Sequence, residues 1–230
     1  SDSIYVAFTV TKGNKTIEAG TKVIIWTTTP WTLPANLAIS VHPRFNYGLY
    51  QSKFGEVVLL EDLVADVSKA LETDFILIKT FKGAELEHIV TKHPLYARNS
   101  PIILGEHVTA EAGTGAVHTA PGHGMEDYIV GQKYGLDVLC PVDARGVFTD
   151  EAGKYAGLFY EKSNAVILED LRAVGALLAA TKVTHSYPHD WRTNKPLIFR
   201  ATPQWFASIT PIRAELLKAV HAVSWYPAWG

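Results

Sequence analysis

Two stretches of the 230-residue chain concentrate side chains that could do chemistry. The first is Trp26-Thr27-Thr28-Thr29-Pro30-Trp31-Thr32-Leu33-Pro34. Its threonine hydroxyls can both donate and accept hydrogen bonds. Pro30 and Pro34 push Thr29 and Leu33 out of the helical region and stiffen the loop. Threonines also simply suit β structure. With two prolines and two tryptophans around them, a shaped polar pocket wall is an equal reading. The second stretch runs Gly113-Thr114-Gly115-Ala116-Val117-His118-Thr119-Ala120-Pro121-Gly122-His123-Gly124 and on to Asp127. Its glycines permit positive φ and close backbone approach. No Gly-Lys-Ser/Thr follows, and the dinucleotide spacing Gly-x-Gly-x-x-Gly fails at His118. Asp127 falls in the first turn of an expected helix, where the dipole favours a carboxylate by about 0.3–1 kcal/mol if exposed. It either does only that, or it is an anion kept charged to hold a cation.

Metal chemistry has a weak basis. His118, His123 and Asp127 could be ligands of a hydrolytic zinc site, but Pro121 separates the two histidines. They lack the helical His-Glu-x-x-His geometry. His185 and His189 are four apart with Pro188 between them. No metal is expected. There is no Gly-x-Ser-x-Gly elbow for a serine hydrolase. Cys140 sits in an apolar, strand-like context and reads as a buried small hydrophobe rather than a nucleophile.

The elements that must position these residues are mostly strands at first. Ile4–Val10, Val23–Trp26, Leu37–Val41, Tyr47–Gln51 and Val57–Leu60 read as strands, the second as a run buried on both faces. A helix follows over 63–71, from the spacing of Leu63, Val67, Ala70 and Leu71. Phe75–Ile78 returns to strand, and 82–106 reads as loop. Helices are expected over Met125–Tyr134, ended by Gly135, over 164–178 with Ser163 or Asn164 as cap, and from Pro203 to about Val220. The fold class is α+β, a β-barrel-like body with peripheral helices. A change of composition near residue 185 divides the chain into a body, 1–185, and an attached segment, 186–230.

Composition bounds the function. Hydrophobic residues make up 47% and charged residues 19%, enough for a sizeable core and too apolar for global disorder. A net charge of −2 argues against a protein that grips a long nucleic-acid backbone track. No segment reads as a signal peptide or a membrane span. One cysteine excludes an intrachain disulfide framework and a multi-thiolate zinc site, and fits a reducing compartment. Without an initiator methionine or a polar tail, both ends are expected to be cut from a longer chain.

Taken together, the threonine stretch at 26–32 and the glycine stretch through Asp127 and Tyr128 closely resemble the editing domain of isoleucyl-tRNA synthetase, a class I aminoacyl-tRNA synthetase. His185–Arg192 and Phe199–Phe206 resemble the segment by which the bacterial enzymes return to their catalytic core. In the valine and leucine relatives the threonine segment typically reads Thr-Thr-Arg-Pro followed by an acid. Here Thr29 and Trp31 take those places, which favours the isoleucine branch. The adenylate-forming signatures His-Ile-Gly-His and Lys-Met-Ser-Lys-Ser are absent, so no ligase activity is expected.

The resemblance implies hydrolysis of valine wrongly esterified to the 3′ end of isoleucine tRNA, and leaves open whether valyl-adenylate is a further substrate. It also implies no cofactor, a cytoplasmic monomer, and the rest of the synthetase as partner. By the same resemblance Asp127 holds the substrate α-ammonium. Thr27, Thr28 and Thr29 line the amino-acid and ribose pocket and position water. His118 sits beside the substrate side chain as a size gate, and Trp31 shapes a wall. Backbone N–H groups around 113–124 could stabilise an oxyanion, with Gly113 and Gly115 among the substrate-binding residues. Two rivals remain open: a module that holds the tRNA 3′ end without catalysis, and a metal-dependent hydrolase.

Overall fold

The computed structural model describes every residue except Ser1, His185, Ala228 and Gly230. The centre is β1 (Asp2–Lys12), with Ile4, Val6, Phe8 and Val10 buried. It is central because both its edges are paired. One edge carries β2 (Lys22–Thr27), antiparallel with Tyr5 opposite Trp26. Val23, Ile24 and Ile25 of β2 are fully buried, as expected for a β-branched run covered on both faces.

Then follow β3 (Ala38–Val41), β4 (Asn46–Ser52), β5 (Gly55–Leu60), α1 (Val64–Leu71) and β6 (Ile76–Lys82). Two further strands, β7 (Val90–Lys92) and β8 (Asn99–Leu104), lie where a loop was expected. Pro94 and Pro101 suggested irregular chain there. Pro94 lies in the turn between the two strands, however, and Pro101 pairs with Val90 at an antiparallel position. After β9 (Ala116–Thr119) comes α2 (Met125–Tyr134), at the expected bounds, ended by Gly135 in the left-handed conformation (φ 66°).

The next helix, α3 (Tyr160–Ala173), starts and ends earlier than the expected 164–178. Phe159 is its N-terminal flank, and Ser163 lies inside it, donating to the Tyr160 carbonyl at 2.6 Å. Gly175 (φ 71°) turns the chain into β10 (Leu177–Lys182), so Leu178 belongs to a strand. Near the end, α4 (Arg213–His221) is shorter than the helix read from Pro203, because 203–209 has no regular structure. Cys140 is half-buried and outside any strand.

Among the described residues, ten strands form one mixed sheet in the order β6-β4-β5-β2-β1-β7-β8-β3-β9, with β10 on the free half of β1. The path curls so that β9 lies back against β2. Among the described residues no hydrogen-bonded ladder joins those two, so the body is barrel-like but not closed. That curl brings the threonine stretch, which leaves β2, next to His118 on β9.

The glycine loop before β9 is pinned from below. Tyr47 donates to the Gly115 carbonyl at 2.6 Å, and the Leu60 N–H donates to the Thr114 carbonyl at 3.0 Å. Gly115 has φ 78°, and a Cβ there would lie 2.2 Å from Leu60 Cβ. Gly115→Ala therefore carries both left-handed strain and an overlap, and costs at least about 2 kcal/mol. Gly113, φ 86° with Trp26 no nearer than 3.4 Å, carries only the strain. Urea unfolding should rank Gly115→Ala well below Gly113→Ala; equal stability would refute the close packing.

Candidate active site

Beyond Thr27 the chain passes through Thr28 and Thr29 into a 3-10 turn, Pro30–Ala35, whose residues are all buried. Proline at its first position fits, since no N–H is needed there. The far end of the turn exposes carbonyls that need partners. His93 donates from Nε2 to the Leu33 carbonyl at 2.9 Å and accepts the Leu95 N–H on Nδ1 at 3.0 Å. Arg98 donates to the Pro34 carbonyl and lies over the Tyr96 ring, 4.5 Å from its centroid. Residues from β7–β8 thus hold the threonine stretch from behind. Sequence reasoning missed both, because nothing local marks a histidine or arginine that works across sixty residues of chain.

The hydroxyls form a chain. Thr27 Oγ1 accepts the Thr29 N–H at 3.1 Å and lies 3.2 Å from Thr29 Oγ1. Thr29 Oγ1 is 3.3 Å from Thr32 Oγ1. Thr32 Oγ1 donates to the Thr29 carbonyl at 2.8 Å and lies 2.9 Å from His118 Nε2. With its only proton on that carbonyl, Thr32 accepts from the imidazole, so Nε2 carries the hydrogen. Nδ1 of His118 is buried without a partner. This tautomer leaves a bare acceptor there, which costs less than an orphaned N–H.

On the opposite side, Asp127 stands in the first turn of α2, half-buried, and its Oδ2 accepts the Ala120 N–H at 2.8 Å. A carboxylate at this position is favoured by the helix dipole. Thr27, Thr28, Thr29, Gly113, Gly115, His118 and Asp127 all line one cavity of about 310 Å³. Among the described residues, Asp127 is the one charged side chain in its wall. Trp26, Thr109 and Thr114 also line it without having been singled out for a role.

Trp31 does not line this cavity. The 3-10 turn carries it to the other face of Thr28 and Thr29, where it lines a second cavity of about 330 Å³ with Tyr160, Glu161 and His189. Its ring packs edge-on against Tyr160 at 5.2 Å and His123 at 5.0 Å. Among the described residues no three His, Cys, Asp or Glu side chains gather as metal ligands. His185 lies outside the described residues.

Burial lowers the pKa of His93, to about 3, and also lowers those of His118 and His123. For His118 and His123 the Asp127 carboxylate opposes the shift without cancelling it. These rings are neutral when folded and protonate more readily when unfolded, near pH 6.5. Their contribution to stability is complete above that pH and is lost as pH falls below it. The slope is up to about 1.4 kcal/mol per pH unit for each histidine. Urea unfolding at pH 7.5 and 4.5 should show this loss, and a flat profile would contradict the buried neutral rings.

The profile of the family described as "Leucyl-tRNA synthetase, editing domain" matches residues 2–165. Over its whole length the chain is 59% identical to an isoleucine–tRNA ligase of Bacillus cytotoxicus and 58% identical to isoleucine–tRNA ligase 1 of Bacillus anthracis. It spans 25% of the length of each. Among solved structures, GlLeuRS-CP1 superposes with a TM-score of 0.63 at 16% identity. The P. falciparum cytosolic leucyl-tRNA synthetase editing domain gives 0.60 at 11%. Each match covers 79% of this chain and all of the other. At those identities the superpositions speak for the fold alone. Among the described residues no helix is long and apolar enough to cross a membrane. The chain belongs to the editing domains of aminoacyl-tRNA synthetases, hydrolytic proofreading modules, and stands with the isoleucine–tRNA ligases by sequence.

Proposed function

We propose that this domain hydrolyses the ester joining valine to the 3′-terminal adenosine of isoleucine tRNA and spares the isoleucyl ester. The observation that carries the reading is the cavity itself. One carboxylate, a wall of threonine hydroxyls and a buried imidazole converge on a volume of about 310 Å³. The need for such a site is physical. One methylene in an apolar synthetic pocket is worth only about 1–3 kcal/mol, a magnitude measured on isoleucine–tRNA ligase itself rather than derived from this structure. A second, smaller pocket turns that weak discrimination into steric exclusion.

Asp127 pairs with the α-ammonium of the substrate. Thr27, Thr28 and Thr29 hold the terminal ribose and the attacking water. Backbone N–H groups of the loop through Gly113 and Gly115 face the developing oxyanion. With Asp127 engaged by the ammonium, no side-chain general base is left over. The free hydroxyl of the substrate ribose assists the water instead. His118, its Nε2 end fixed by Thr32, stands where the extra methylene of isoleucine would go.

Residues 1–185 form the editing unit in this reading, and 186–230 lead toward the rest of a cytoplasmic synthetase. That remainder supplies the grip on the tRNA body, which agrees with a net charge of −2 on this piece. Incubating the chain with valyl-tRNA, with and without a chelator, tests the proposal. Ester loss above the enzyme-free background in both samples supports it. Binding without ester loss, or loss abolished by the chelator, defeats it.

A further inference from the structure

The segment after β10 does not simply leave the body. Ile198 packs on the core, Arg200 donates from Nε to the Val142 carbonyl at 3.1 Å, and the Ala201 N–H donates to the Gly122 carbonyl at 2.7 Å. A further contact comes from His123, the residue after Gly122. It is nine-tenths buried, and its Nδ1 lies 2.9 Å from the Phe199 carbonyl. A carbonyl can only accept, so Nδ1 carries the hydrogen and donates it. From Thr202 to Pro227 every residue is exposed, so among the described residues 198–201 are the last held against the body.

The place where this strap is fastened matters. His123 belongs to the short loop Ala120–Gly124 that joins β9, with His118, to α2, with Asp127. The loop is closed on itself by the His123 N–H on the Ala120 carbonyl at 2.8 Å. Its first N–H, that of Ala120, is the hydrogen bond that holds the Asp127 carboxylate. The loop has no slack at Gly122, where a Cβ would lie 2.1 Å from the Leu139 carbonyl oxygen. The His123 ring also abuts Trp31, which follows directly on the threonine wall.

We infer that His123 is a positioning residue that latches the segment 199–201 onto the loop between His118 and Asp127, so that the aim of the Asp127 carboxylate depends on where that segment is held. The inference rests on the proposed role of the cavity for its effect on rate, but not for the latch itself. A displacement of the segment by the chain beyond it would then be felt at the ammonium site without any contact between the two.

The test compares His123→Leu, His123→Asn and Ala201→Pro in the full chain. Asparagine can still donate toward Phe199; leucine cannot; proline at 201 removes the N–H on the strap side and touches no cavity residue. Amide hydrogen exchange reads the latch directly. In His123→Leu the Ala201 and Ala120 amides should both exchange about three- to tenfold faster, as expected for one lost hydrogen bond, and His123→Asn should restore most of the protection. Ala201→Pro should speed Ala120 similarly. On valyl-tRNA, His123→Leu should lower kcat more than it raises KM, and adding Ala201→Pro should bring little further loss, because both act through one strap. Unchanged exchange at Ala120, an asparagine variant no better than leucine, or effects that multiply would overturn the latch. If the parent chain leaves valyl-tRNA intact while exchange responds as stated, the latch stands and the functional reading falls.

Discussion

Asp127→Ala should lower deacylation of valyl-tRNA by at least about thirtyfold, equivalent to about 2 kcal/mol of transition-state binding. Among the described residues the carboxylate is the one charged group in the cavity wall, so no other lining side chain can take over an ammonium left without its partner. The alanine variant also frees the Ala120 N–H, and a modest loss of stability of about 1 kcal/mol accompanies it. Asp127→Asn separates the two effects. Its amide oxygen can still accept from Ala120, so its melting temperature should stay close to that of the parent while its activity falls nearly as far. An asparagine variant with near-parental activity would remove the ammonium from this site.

His118→Ala should have the second large effect, on choice rather than on rate. The imidazole is buried, fixed at Nε2 by Thr32, and forms part of the wall that the substrate side chain faces in this account. Its removal makes room for one more methylene. Isoleucyl-tRNA should then be hydrolysed, and discrimination against it should fall by about ten- to a hundredfold, the range such a group commands. His118→Phe keeps a ring in place without the hydrogen bond and should go on sparing isoleucine. If the alanine variant still spares isoleucyl-tRNA, another group sets the size limit.

Most of the positioning was visible in the residue pattern, and the exceptions have physical causes. Hydrophobic runs in 4–60 located the first five strands, because buried β-branched residues leave a strong local signal. Gly135 marked the end of α2. By contrast, β7 is only three residues long and β8 contains Pro101; pairing with β1, with β3 and with each other makes them strands. The expected helix over 164–178 ran past Val174, the C-terminal flank of α3, and took in Leu178 from β10, since apolar spacing continued by chance through Gly175. At the site, the threonines, both loop glycines, His118 and Asp127 meet in one cavity. Trp31 escaped that cavity because a tight turn reverses its direction, which spacing alone does not reveal. The supports at His93 and Arg98 depend on long-range contacts and had no local signal.

The most direct measurement is paired deacylation of valyl-tRNA and isoleucyl-tRNA by the unaltered chain, both carried on isoleucine tRNA. Loss of the valyl ester well above background, with the isoleucyl ester cleaved at least about tenfold more slowly, is the predicted result. Equal cleavage of the two esters, or persistence of both, would contradict the account.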